Sequence, residues 1–163
     1  MLSIETPRFG TITFEKEEVI EFPAGLPGFD QEHEFLLVEP EASRPLCFLQ
    51  SVRDSALSFV CAPVGLVQPD YEGSLSKMDR EILALPLELL TPGLCLEWLT
   101  ILCFERPDLP TANLLGPVVV RRDVGFGVQS VREDSRYSAR QPLFAEKPSR
   151  STERLGSEGA ACS

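Results

Sequence analysis

The sequence predicts a mainly β chain: a small closed or partly open β-barrel-like single domain with one short helix and a disordered C-terminal tail. Three observations carry this. Short runs rich in Val, Ile, Phe and Thr recur along the chain with Gly, Pro, Asn or Asp between them, which is the pattern of an all-β barrel or sandwich. A chain of 163 residues suffices for one core without disulfides or metals. The last stretch, rich in Ser, Glu, Gly and Ala, has almost nothing to bury. The domain is therefore placed at residues 1–143 and the polar tail at 144–163.

The expected strands are 9–14, 19–22, 35–38, 46–50, 58–62, 96–104, 118–122 and 128–131. In the first, Phe9, Thr11 and Thr13 alternate with Gly10, Ile12 and Phe14. In the second, Ile20 and Phe22 share a face with Glu21 opposite, so both strands read as half exposed. Residues 94–104 form an apolar run interrupted only by Glu97 and Thr100, as expected of a central strand covered on both faces. Between these β segments, Ser76 offers a cap, acids follow in the first turn, and Met78, Ile82, Leu83 and Leu85 fall near helical spacing before Pro86. That spacing predicts the one short helix over 76–85.

Residues 21–29 read Glu-Phe-Pro-Ala-Gly-Leu-Pro-Gly-Phe, which puts Phe22, Leu26 and Phe29 on a segment that Pro and Gly hold outside helix or strand. Gly25 and Gly28 are expected at the positive φ that tight turns demand. Such a rigid apolar loop either plugs the end of its own core or presents anchors to a partner at little entropic cost.

The net charge is −10, and residues 1–41 hold ten acids against Arg8 and Lys16, giving −8 in that quarter. Glu15, Glu17, Glu18 and Glu21 form the expected electrostatic face. It would repel a phosphate backbone and attract a basic protein, or serve solubility alone. Direct nucleic-acid binding is not expected. Two further rigid segments are candidates for contact: Asp70-Tyr71 after Pro69, and the loop around Asn113. Asp70 or Asn113 can equally bond its own backbone in an Asx turn.

Catalytic chemistry has poor candidates. His33, the single histidine, lies in Asp-Gln-Glu-His-Glu and reads as a solvated surface residue. Gly125-Phe-Gly127 reads as a hairpin turn rather than a phosphate loop. Acid pairs such as Glu17-Glu18 lack calcium-loop spacing. Five cysteines stand at 47, 61, 95, 103 and 162 without a C-x-x-C pair, so neither a disulfide nor a zinc framework is expected. The first four sit in apolar runs and are expected to be buried. Neither a signal peptide nor a membrane span is recognisable, which points to a cytoplasmic protein without cofactor or metal.

The order of motifs then carries a resemblance. Phe9-Gly10-Thr11-Ile12 is followed by Phe22-Pro23-x-Gly25-Leu26-Pro27-Gly28-Phe29, Phe35-Leu36-Leu37, Phe48-Leu49-Gln50-Ser51 and Phe59. Pro69-Asp70-Tyr71, Thr111-x-Asn113-Leu114-x-Gly116-Pro117, Gly127-x-Gln129, and Tyr137 with Arg140, Pro142 and Leu143 complete the series. Over residues 1–143 this resembles the FliW family of flagellar assembly factors. The resemblance implies a noncatalytic cytoplasmic β-barrel-like protein of flagellated bacteria that binds flagellin as a chaperone before export. It also implies binding of CsrA, an RNA-binding translational repressor, so that the protein freed by flagellin export relieves repression of flagellin mRNA. The bets for contact are Glu15, Glu17, Glu18 and Glu21 as charges, Phe22, Leu26, Phe29 and Tyr71 as anchors, and Asp70 and Asn113 beside them. Arg121-Arg122 departs from the family pattern, where a polar Asn is expected. The alternative from another class is a small β-barrel ligand-binding domain or a carboxylate-based enzyme, marked by convergent acids and His33 in a deep pocket.

Overall fold

The computed structural model describes residues 1–86, 95–133 and 136–144. Strands β1 (Leu2–Thr6) and β2 (Gly10–Phe14) form a hairpin of their own. The main sheet takes β3 (Ile20–Glu21), β4 (Glu34–Val38), β5 (Cys47–Ser51) and β6 (Ser58–Pro63), then β7 (Leu96–Cys103) and β8 (Thr111–Ala112). It is completed by β9 (Val118–Arg121), β10 (Phe126–Gln129) and β11 (Gln141–Pro142). The two helices are short: α1 (Val64–Val67) and α2 (Lys77–Ile82).

Seven strands close into a barrel in the order β7-β6-β5-β4-β3-β10-β9 and back to β7. Closure removes the free edges that an open sheet leaves exposed. All pairings in the ring are antiparallel except β3 with β10. Strand β8 continues along the same edge of β7 as β9, and β11 pairs with β8 outside it.

Alternation along each strand sets the core. Ile20, Phe35, Cys47, Leu49, Cys61, Leu99, Val118 and Val120 pack together with Phe22 and Leu26 from the loop after β3. Burying each large apolar side chain contributes roughly 1.5–3 kcal/mol. Outside the ring, Leu83 from the end of α2 packs with Val119, Val128 and Trp98. Leu102, Ala62 and Ala112 pack with Val67 and Leu143. Strand β7 is thereby central, as its apolar run predicts, with Leu99 facing inward and Trp98 and Leu102 covered outside. All five residues of β5 are buried, and the tip of the β1–β2 hairpin packs on its outer face. There the ring of Phe9 meets that of Phe48 edge-on, with centroids 5.1 Å apart.

Several boundaries differ from expectation. Strands β1, β8 and β11 and helix α1 were not anticipated; β8 and β11 have two residues each, too few for a periodic signal. Strand β10 begins at Phe126, two residues before the expected start, and runs through Gly127. Helix α2 has the expected cap, with Ser76 Oγ accepting from the Asp79 amide at 3.0 Å. It stops at Ile82, and Met78 faces solvent rather than the core. Cys47 and Cys61 are buried as expected, whereas Cys95 and Cys103 are exposed because they lie at the two ends of the β7 run. Leu94, Cys162 and the expected disordered tail from residue 145 onward lie outside the described residues.

Candidate functional site

The loop of residues 22–29 is two consecutive turns. The Gly25 amide donates to the Phe22 carbonyl at 2.8 Å, and the Phe29 amide donates to the Leu26 carbonyl at 2.7 Å. Gly25 and Gly28 have φ of +68° and +85°, as the sequence demands. The same turns point Phe22 and Leu26 into the barrel, where they are 0% and 1% exposed. Of the two readings of this loop, their burial matches the core plug: the apolar surface of both is spent on the core. Phe29 differs, at 40% exposed and with its ring edge-on to Phe59 at 5.1 Å.

His33 holds this loop from the other side and is half-buried rather than solvated. Its Nδ1 lies 2.9 Å from the Phe22 carbonyl, and the Phe22 amide donates to the His33 carbonyl at 2.7 Å. A carbonyl only accepts, so Nδ1 carries the proton in this bond.

The four acids of the expected electrostatic face are all exposed. Glu15, Glu17 and Glu18 lie on a 3-10 turn (Lys16–Glu18) and the residue before it, where the Glu15 amide donates to Glu18 Oε2 at 3.0 Å. The terminal ammonium of Met1 stands 3.8 Å from Glu15. Glu17 and Glu18 rim a groove of about 360 Å³ floored by Ile12, Phe14, Ile20 and Leu36, with Arg122 at its end. Glu21 pairs in register with Glu34 across β3 and β4, so two like charges face each other directly.

Asp70, Tyr71 and Asn113 have local bonding roles. Asp70 Oδ1 accepts from Gln68 Nε2 at 2.5 Å, and Asn113 Oδ1 accepts from the Leu115 amide at 3.0 Å in an Asx turn. Tyr71 is half-buried; its hydroxyl donates to the Leu114 carbonyl at 2.8 Å and its ring lies 4.5 Å from that of Tyr137. This ties the Asp70-Tyr71 turn to the Asn113 loop. A second groove of about 360 Å³ brings Asn113 together with Leu26 and Pro27, alongside Phe59, Ile101 and Arg140. Ile101 carried no signal beyond its place in a strand, and Phe59 and Arg140 none beyond that and their place in the resemblance.

Among the described residues, no group of three or more His, Cys, Asp or Glu is placed to hold a metal ion, and no helix is long and apolar enough to cross a membrane. Neither of the two large grooves includes His33.

A model of the FliW protein family matches residues 3–143. The chain belongs to the FliW family. Among its FliW relatives, the flagellar assembly factor of Leptospira biflexa serovar Patoc is 30% identical over 154 residues, covering 94% of this chain and 99% of that protein. That of Desulfitobacterium hafniense is 34% identical over 151 residues, covering 93% and 97%. That of Shouchella clausii is 35% identical over 143 residues, covering 87% and 94%. A crystal structure of the flagellar assembly factor FliW superposes with a TM-score of 0.79 at 31% identity, covering 90% of this chain and 99% of the other.

Both arginines that depart from the expected FliW pattern have structural posts. Arg121 donates to the Leu83 carbonyl at 3.1 Å and the Ala84 carbonyl at 2.5 Å, satisfying the end of α2, and pairs with Asp123 at 2.9 Å. That pairing holds the Asp123 carboxyl below its ordinary range. Arg122 leaves the end of β9 on the inward parity of Val118 and Val120, and bridges Glu39 at 2.8 Å and Glu97. It closes one end of the barrel. Partial burial works against its charge, but the hydrogen bonds to Glu97 and Glu39 outweigh this and raise its pKa. Burial, reinforced by Glu39 and Glu97, pushes the Cys47 thiol up to about 11.

Proposed function

We propose that this chain is a flagellar assembly factor that works by noncatalytic partner exchange in the cytoplasm. It binds flagellin as a chaperone and binds the translational repressor CsrA, relieving repression of flagellin mRNA when flagellin leaves. Membership of the FliW family over nearly the whole domain supports the assembly role. The observation that carries the regulator half is the exposed acidic face. Glu17 and Glu18 rim an apolar-floored groove, and Glu21 is set against Glu34, an arrangement that a basic RNA-binding protein would relieve. Phe29, exposed at the end of a rigid loop, and the groove beside Asn113 offer apolar surface for an aggregation-prone flagellin segment. A carboxylate-based enzyme is not favoured, because His33 Nδ1 is committed to a backbone carbonyl and stands apart from both grooves.

The test is size-exclusion chromatography with light scattering on the protein mixed with CsrA, repeated after adding flagellin. The expected result is a stoichiometric complex that flagellin dissolves. Failure to bind either partner would sink the reading.

A further inference from the structure

On the outer face of the barrel, β5 and β6 set Gln50 opposite Ser58 in register, under the tip of the β1–β2 hairpin. Pro7, Arg8, Gln50, Ser55, Ala56 and Ser58 line a slot of about 300 Å³. Gln50 is 0% exposed, and its Nε2 donates to the Ser51 and Ser55 carbonyls at 3.1 and 3.0 Å. Reversing the amide would set its oxygen against two carbonyl oxygens, so the orientation is fixed by the network. That leaves Gln50 Oε1 buried without a partner, and Ser58 Oγ across the strand pair is in the same state. Buried polar atoms are nearly always paired, and the exceptions call for an explanation. At the mouth, the Arg8 guanidinium lies 5.2 Å from the centroid of the Phe48 ring, and it makes no ion pair among the described residues.

We propose that this slot binds a compact zwitterion, an α-amino acid, with its ammonium on Gln50 Oε1 and Ser58 Oγ and its carboxylate on Arg8. The assignment follows from the donor count. An ammonium has three N–H donors and can serve both acceptors across the β5–β6 pair, which a single amide N–H does not. A carboxylate gains a charge-assisted bond from a guanidinium already placed over an aromatic face. The hairpin shares no strand pairing with the barrel, so lifting its tip gives entry without breaking the ring.

The experiment is a titration of the full chain, followed by NMR of the backbone amides of residues 55–58 and the Gln50 side-chain amide. Four probes are used: L-alanine, glycine betaine, acetate and methylammonium. Betaine keeps both charges and has no N–H donor. Saturable shifts with L-alanine are expected, with betaine and each half-ligand about tenfold weaker or more. Arg8→Gln and Ser58→Ala are each expected to weaken L-alanine by about tenfold; both are mild enough to keep the fold where replacing buried Gln50 risks losing it. No saturable shift with L-alanine overturns the proposal. So does betaine or acetate binding as tightly as L-alanine, which would mean a simple anion site at Arg8.

Discussion

The ring of Phe22 lies so close to the backbone of Gly127 that a Cβ on Gly127 would fall 2.5 Å from the ring's Cζ. This contact joins the loop after β3 to the middle of β10, and it explains a glycine inside a strand where backbone entropy argues against one. Gly127→Ala is expected to cost about 1–3 kcal/mol through overpacking, and Phe22→Ala about 3–5 kcal/mol through the cavity left behind. Urea denaturation checks both. Because the two residues share one contact, the double variant should fall short of the summed losses.

Arg122 ties the end of β9 to Glu39 and to Glu97 on β7 across one mouth of the barrel. Its side chain is 41% exposed, so solvent screening limits the effect. Arg122→Met is expected to lose about 1 kcal/mol, with part of that loss recovered in the Arg122→Met, Glu97→Gln pair. A double-mutant cycle measured at low and high salt reads the coupling, which should shrink as salt rises.

Cys47 gives the alkaline limb of stability a defined sign. In the unfolded chain its thiol ionises near 9.0, while the folded protein holds the proton to about 11. The unfolded state therefore sheds a proton first, and stability falls as pH rises through that window, with no contribution from this group below it. Cys47→Ala should flatten the decline between pH 9 and 11 relative to the parent chain, as followed by thermal melts across that range. The melt of the variant will also be lower at neutral pH, since it loses buried volume.

Glu21 faces Glu34 directly across β3 and β4. Glu21→Gln is expected to stabilise the fold by a few tenths of a kcal/mol, about 0.2–0.5, by removing the like-charge pair. The same change should weaken binding of a basic partner and reduce its salt dependence. Opposite signs in a melt and a binding isotherm would mark Glu21 as held for contact rather than for stability.

Much of the barrel was legible because its strands are short β-rich runs separated by turn residues. Residues 35–38, 46–50, 58–62 and 118–122 are short apolar and β-branched runs bounded by turn residues, and β7 announces itself by an apolar run that only Glu97 and Thr100 interrupt. The glycines of the 22–29 loop were legible for a different reason, since tight turns beside prolines are where positive φ is expected, and both Gly25 and Gly28 have it. What was not legible depended on tertiary partners. Phe22 and Leu26 read as anchors or as core until the direction of two turns was known. His33 looked solvated because its neighbours are acids, yet its bond goes to a backbone carbonyl distant in sequence. The Arg121 and Arg122 posts needed the end of α2, Glu39 and Glu97 to be brought within reach. Charge counting placed the acids of the first quarter at the surface, where Glu15, Glu17, Glu18 and Glu21 are exposed.

The most direct measurement is a calorimetric titration of CsrA into this protein at two salt concentrations, repeated with the Glu17→Lys, Glu18→Lys, Glu21→Lys variant and with flagellin already bound. The account predicts a saturable complex that weakens with salt, is lost in the charge-reversed variant and is suppressed by flagellin. A complex of unchanged affinity in the charge-reversed variant, or one indifferent to flagellin, would contradict it.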